Sequence, residues 1–488
     1  MSDILFLSIS ELHAKLEAKE LSCVELTKRF LERAETVQKE LNAFITLLPE
    51  RAMAQAVQAD KVFAEGRQTI LTGIPYAAKD NYNIAGVRTT AGSKILENYI
   101  APYTATAIIR LETAGAVCIG KTNMDEFAMG SSTEYSAYGP ARNPYNPNLV
   151  PGGSSGGSAV AVATGSCVFA LGTETGGSVR LPAAFCGIVG MKTTYGRISR
   201  YGIIPLASSI DVVSPCARSV FDAAIVTGWL AGADPLDSTT PDVPIDNYEG
   251  HLNANTSLVG KKLGIPKEYI QAEGLDPAVK QVMEKVMAQC EAAGAELVEV
   301  SLPLTKYALP AYYVLVPSEA SSNLARHNGV TFGFRSTGTS TAQELIELSR
   351  DEGFGAEPKR RSMLGTFALS SGYHEAYYGR AQKVRTLLRQ EFETVFKQVD
   401  ALLTPTSAMP PFVFGEKSDP LQMYLVDLFT LPTNLAGVSA ISIPGGVTPD
   451  GLPVGAQFIT PQFAEDSLFQ IAYAAEHVLK VEPPPLAV

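Results

Sequence analysis

Short apolar runs bounded by glycine, proline or charge alternate with stretches of helical period along almost the whole chain, and this alternation restricts the fold most. Ser22-x-x-Glu25 has the spacing of a capping box, after which Cys23, Leu26, Phe30, Ala34, Val37 and Leu41 recur at steps of three and four. That stripe predicts a helix with one buried face and with Lys28, Arg29, Glu32 and Arg33 in water. A second helix is expected over Arg51–Gly66. Ile74-Pro-Tyr-Ala-Ala-Lys79-Asp80 then reads as a strand that delivers a lysine at its end. Helical Thr106–Ala114 leads to strand Ala116–Ile119, and helical Ser155–Thr164 leads to strand Val168–Leu171. Lys262-Leu-Gly-Ile, a helix over Asp276–Ala293 and Glu296-Leu-Val-Glu-Val form a β-α-β passage, with Asp276-Pro277 opening the helix and Gly294 closing it. A long helix over Gly372–Val399 precedes strand Ala401-Leu-Leu. Strands Ala440–Ile443 and Val454–Ile459 precede a last helix, Ala464–Leu479. The pattern predicts an α/β fold, a sheet covered by helices on both faces.

No repeat or linker interrupts it, so the 488 residues are expected to form one domain. Residues 1–68 would be a helical lead, 69–220 the catalytic core and 221–488 the rest of the sheet, with Asp234–Asn247 a surface loop. A hydrophobic content of 46% excludes a disordered chain. With 50 acidic against 39 basic residues the net charge is −11, which argues against gripping a phosphate backbone directly; nucleic acid would be held by a partner. Six scattered cysteines without a C-x-x-C pair suit reduced, buried thiols rather than zinc or disulfides. Met1-Ser-Asp-Ile lacks a basic n-region, and the apolar stretch Ala159–Leu171 falls short of the roughly 20 residues a membrane span needs. A cytoplasmic location is expected.

The most unusual window, Pro151–Gly190, holds ten glycines and only two charged residues, Glu174 and Arg180. Its serines sit among the glycines, in Gly152-Gly-Ser154-Ser155-Gly-Gly157-Ser158 and Thr175-Gly-Gly-Ser178. Glycines beside a serine permit close backbone approaches and leave N–H groups free to face an oxyanion. A serine hydroxyl becomes a useful nucleophile only when a base takes its proton. None of the five histidines lies near this window, whereas Lys79, at the end of an apolar strand, could serve if burial kept it neutral and Asp80 pointed elsewhere.

Two other motifs compete. Gly115-Ala-Val-Cys-Ile-Gly120-Lys121-Thr122 satisfies the P-loop pattern of nucleotide-binding proteins, yet its central residues are strand-like and a helical pattern precedes them. Gly153-Ser154-Ser155-Gly156-Gly157 satisfies the nucleophile-elbow pattern, with Ser155 as nucleophile, but Pro147-Asn-Leu-Val-Pro151 is a poor preceding strand.

Lys79, Pro-Gly-Gly-Ser154-Ser-Gly-Gly-Ser and Gly-Thr-Glu-Thr-Gly-Gly-Ser178-Val-Arg-Leu-Pro-Ala together resemble the amidase signature family, including the separations of 75 and 24 residues. The resemblance implies a large mixed β-sheet covered by helices. It also implies Lys79 as base, Ser154 (on a cis peptide) as proton relay and Ser178 as nucleophile, with the amides of Thr175, Gly176, Gly177 and Ser178 as the oxyanion hole. Ser318-Glu-Ala-Ser-Ser, Arg350-Asp-Glu-Gly-Phe-Gly, Lys359-Arg-Arg and Met423-Tyr-Leu-Val-Asp427 are similar to the family's glutaminase members, which pass ammonia to an amidating partner on misacylated tRNA. By that resemblance a segment around 305–435 forms a glutamine pocket, no cofactor is held by this chain, and ATP and Mg belong to the partner, with a small accessory protein completing the complex. Free glutamine needs one fixed cation and one fixed anion, for which Arg360 and Asp427 are the candidates and Tyr312 a third contact. Lys359 and Arg361 are expected to be surface ion pairs. Leu181, Thr193 and Val213 depart from the family's commoner residues. A stand-alone amidase for another small amide would share Lys79, Ser154 and Ser178 without needing Arg360 and Asp427.

Overall fold

Ser22 caps the helix Cys23–Leu41 reciprocally with Glu25. Its Oγ accepts from the Glu25 N–H at 3.1 Å, and the Glu25 carboxylate accepts from the Ser22 N–H at 2.8 Å. The stripe beginning at Cys23 and ending at Leu41 is buried, as its period requires. The computed structural model describes residues 4–417 and 419–488.

Eleven strands are present among the described residues: β1 Phe44–Leu47, β2 Pro75–Lys79, β3 Val117–Thr122, β4 Phe169–Glu174, β5 Val189–Lys192, β6 Val212–Ala217, β7 Lys262–Pro266, β8 Glu296–Val300, β9 Ala401–Pro405, β10 Ser439–Val447 and β11 Pro453–Thr460. They join one sheet in the order β1-β3-β2-β4-β6-β5-β10-β11-β9-β7-β8. β2 runs parallel to β3 and β4, and β7 parallel to β8 and β9, while the remaining pairs are antiparallel. The sheet is therefore mixed. Every residue of β2, β3, β4, β6, β9 and β11 is buried, so both faces of these strands are covered.

Element boundaries shift where local chemistry decides them. The second helix is Pro49–Ala64, because Pro49 sits in its first turn, where the missing N–H costs nothing. The long helix expected from Gly372 is a π-turn at Glu375–Gly379 followed by Arg380–Val395. The helices Ala308–Leu324 and Ala356–Leu369 meet at Gly365, where any Cβ would collide with the Pro317 carbonyl. All six cysteines are buried and unpaired. No described helix is long and apolar enough to cross a membrane.

The P-loop pattern lies in a strand. Residues 117–122 form β3, and the Lys121 Nζ sits 3.0 Å from Asp80 Oδ1 with both side chains fully buried. Asp80 also accepts from the Thr90 N–H at 2.8 Å. Replacing Lys121 by methionine strands a buried carboxylate, and the variant is expected to lose roughly 3–5 kcal/mol of unfolding free energy in a urea titration.

Candidate active site

β2 carries Lys79 into a fully buried position whose neighbours are hydroxyls and a carbonyl. Its Nζ lies 2.7 Å from Ser154 Oγ, 2.8 Å from Ser155 Oγ and 3.3 Å from the Thr173 carbonyl of β4. No described carboxylate is within ion-pairing distance, because Asp80 is turned to Lys121. Burial therefore dominates and lowers the ammonium pKa from 10.5 to about 7, against smaller opposing pulls from Asp125 and Asp211.

Ser154 follows a cis peptide bond from Gly153. The segment is held from below by Asp125, whose N–H donates to the Ser154 carbonyl at 3.3 Å and whose carboxylate accepts from the N–H groups of Thr133 at 2.9 Å and Tyr135 at 3.1 Å. Ser155 precedes the helix Gly156–Ala163. No strand leads into it, so the elbow geometry is absent, and its Oγ instead faces Lys79 and the Thr173 carbonyl.

Ser178 sits in the turn between β4 and the helix Arg180–Phe185, 7% exposed. Glu174 fixes that turn from its two ends. One carboxylate oxygen accepts from the N–H groups of Val179 at 3.0 Å and Arg180 at 2.9 Å, and the other pairs with the Arg180 guanidinium, whose Nε lies at 2.7 Å. Arg180 continues to Gln457, Asn434 and the Thr430 carbonyl. Thr175 Oγ1 donates to Asp211 at 2.6 Å. The N–H groups of Thr175, Gly176, Gly177 and Ser178 donate to no acceptor among the described residues, which leaves four donors in the turn that carries the Ser178 hydroxyl.

Asp427 lies beside this turn. One carboxylate oxygen takes the Ser131 hydroxyl, and the other, Oδ1, is buried with no partner among the described residues. A Cβ at Gly177 would fall 3.1 Å from Oδ1, and one at Gly176 would fall 2.7 Å from the Tyr312 hydroxyl. Tyr312 and Asp427 thus flank the two glycines. Burial raises the Asp427 pKa to about 7, with Ser131 and Arg361 pulling the other way.

The arginine pair behaves differently from expectation. On the helix Ala356–Leu369, Glu357, Arg361 and Gly365 share the buried face at steps of four. Arg361 is 3% exposed, donates from Nε to Glu357 at 2.8 Å and lies over the stacked rings of Tyr313 and Tyr424, 5.5 Å and 5.8 Å from their centroids. Its field reaches Asp427 and Tyr312. Its terminal nitrogens donate to no described residue. It is therefore a buried group rather than a surface ion pair. Arg360 points away, its side chain 41% exposed and paired with Glu357. Lys359 pairs with Asp351 at the surface, as its sequence context suggests.

Two of the three departures from the family pattern touch each other: Thr193 Oγ1 donates to the Val213 carbonyl at 3.1 Å. Leu181 is buried in an apolar cluster with Val150, Phe185 and Phe412.

The chain is similar to known proteins over nearly all of its length. Residues 25–469 match the Amidase family. Over 470 residues the chain is 53% identical to the A subunit of the glutamyl-tRNA(Gln) amidotransferase of Trichlorobacter lovleyi, covering 96% of each chain. The crystal structure of the corresponding A subunit from Thermotoga maritima is similar with a TM-score of 0.81 and 38% identity, over 100% of this chain and 99% of that one. The native peptide amidase from Stenotrophomonas maltophilia gives 0.83 and 32%, over 99% of both. By the span matched and by these identities, the chain belongs to the amidase family.

Proposed function

We propose that this chain hydrolyses the side-chain amide of glutamine through an ester on Ser178 and supplies the ammonia to an amidating partner that converts Glu-tRNA(Gln) to Gln-tRNA(Gln). The observation that carries the chemistry is the enclosed amine of Lys79, with three neighbours and no carboxylate among them. An ammonium would donate to all three. A neutral amine donates to two and accepts from the third. The Thr173 carbonyl can only accept, and the Ser155 hydroxyl has that same carbonyl as its own acceptor at 3.3 Å. The Ser154 O–H is then the one that serves the lone pair, which supports Ser154 as the relay between Lys79 and Ser178.

Ser178 Oγ attacks the amide carbon as its proton passes through Ser154 to Lys79. The oxyanion is received by N–H groups of the 175–178 turn, each worth about 3–4 kcal/mol in comparable sites. The proton returns to nitrogen, the C–N bond breaks and ammonia leaves. Water then adds to the γ-glutamyl ester by the same route, so glutamine and water yield glutamate and ammonia. Side chains and water suffice for this half-reaction, ATP and Mg being assigned to the partner.

Glutamine is zwitterionic, and the pocket offers one donor group and one acceptor for it. The unpartnered Oδ1 of Asp427 suits the α-ammonium, and the terminal nitrogens of Arg361 suit the α-carboxylate, with the Tyr312 hydroxyl beside them. This gives Arg361 the role that sequence alone gives to Arg360. Identity above 50% to proteins named as the A subunit of the amidotransferase supports the same substrate, together with assembly onto its B and small C subunits in the cytoplasm.

Steady-state hydrolysis of glutamine against lipid, aryl and peptide amides, with and without the partner proteins, tests the proposal. Arg361→Ala is expected to raise KM for glutamine 10- to 100-fold, the loss of a charge-assisted pair, and to leave an aryl amide unaffected. Arg360→Ala should change KM less than threefold. Preference for an aryl or peptide amide, insensitive to Arg361, overturns the glutamine assignment and leaves the amidase chemistry standing.

A further inference from the structure

Thr430 lies 252 residues beyond Ser178, in the turn that follows Asp427, and is completely buried against the nucleophile turn. Its Oγ1 is 2.6 Å from the Gly176 carbonyl and 3.0 Å from the Asp427 carbonyl. A hydroxyl has one proton, and the shorter contact claims it. The Gly176 carbonyl belongs to the peptide unit whose N–H is that of Gly177, one of the four free donors. A peptide unit is planar, so fixing its oxygen fixes the direction of its N–H. Gly177 itself has φ +146°, and a Cβ there would strike Thr430 Oγ1, so only glycine lets the turn approach this closely.

The same threonine is tied back to the acidic side of the pocket. The Thr430 N–H donates to the Asp427 carbonyl at 3.0 Å, and the Thr430 carbonyl accepts from Arg180 at 3.1 Å. Arg180 in turn holds Glu174, which caps the far end of the turn. One short segment, 427–430, therefore holds the unpartnered carboxylate and, three residues on, the hydroxyl that fixes the Gly176–Gly177 peptide unit.

We infer that Thr430 is a positioning residue for acyl transfer: its hydroxyl aims the Gly177 N–H at the developing oxyanion and keeps that donor in register with Asp427. The inference rests on the proposed role of Ser178 and the 175–178 turn. Thr430 touches no reacting atom, so its loss acts on the transition state and spares substrate capture. Backbone contacts of Thr430 to Asp427 and Arg180 do not depend on its side chain.

The test is kinetic, on the full chain assembled with its amidating partner. Thr430→Val, which keeps shape and removes the hydroxyl, is expected to lower kcat for glutamine 30- to 300-fold with KM within twofold. Thr430→Ser should return kcat to within threefold of the parent, a rescue that a packing role does not predict. An activated γ-glutamyl ester should lose a similar factor, since its carbonyl uses the same donors. Should Thr430→Val fold poorly, Thr430→Ala against Thr430→Ser reads the same hydroxyl. Unchanged kcat in the valine or alanine variant, a rise in KM alone, or equal loss in the serine variant each overturns the assignment. If the parent hydrolyses another amide and not glutamine, the substrate proposal fails, while the kcat comparison on that amide still decides Thr430.

Discussion

Ser178→Ala is expected to reduce glutamine hydrolysis by about four to six orders of magnitude, with the fold intact. The Ser178 hydroxyl donates to no acceptor among the described residues, so its removal breaks no described contact, while the Glu174–Arg180 pair still holds the turn. Loss of the nucleophile removes the ester intermediate altogether. Ammonia release measured beside intact-protein mass spectrometry checks this. The parent, quenched during turnover, should carry a γ-glutamyl adduct on Ser178, and the variant none. An adduct on Ser155 reassigns the nucleophile.

The second large effect concerns Lys79. Lys79→Met is expected to lower kcat by about two to four orders, the usual worth of a general base, and at the same time to stabilise the protein. The sign follows from the pKa shift. The folded-state value, about 7, lies below the ordinary 10.5, so between those values the unfolded chain holds a proton that the folded chain has lost. Stability from this residue rises with pH across that window, and below pH 7 its full penalty, on the order of a few kcal/mol, is present. Methionine removes the titrating group. The variant should exceed the parent in urea-unfolding free energy at pH 7, and the gap should close toward pH 10. In the parent, kcat/KM for glutamine should fall by at least tenfold per unit as pH drops below 7, because only the free amine can take the Ser154 proton and the Asp427 carboxylate takes up its own proton over the same range. A flat profile from pH 5.5 to 8, or a less stable methionine variant, contradicts the neutral-amine proposal.

Features written in local spacing were legible in the sequence. The capping box at Ser22, the strand ending at Lys79 and the strand character of the P-loop pattern all depend on neighbours within a few residues. The glycine-flanked serines were visible for the same reason. The choice between Arg360 and Arg361 was legible only in part. Glu357, Arg361 and Gly365 repeat at steps of four, so Gly365, which must face another backbone, marks the buried side. Contacts closing over hundreds of residues left no local trace. Ser131 meets Asp427 across 296 residues, and Thr430 meets Gly176 across 254. Ser155 posed a different difficulty, since an elbow pattern gives it a role in attack, whereas the fold turns its hydroxyl toward the lysine.

The turn bearing Ser178 is held by Arg180, and Arg180 is held by Gln457 on β11. β11 is the final strand in chain order yet lies inside the sheet, between β10 and β9. A nascent polypeptide still on the ribosome therefore lacks this brace of its own nucleophile until residue 457 has been synthesised. Premature termination before residue 457 leaves a fragment in which Arg180 keeps Glu174 but has lost Gln457, so the loop that carries the Ser178 hydroxyl is less firmly anchored in an incomplete product.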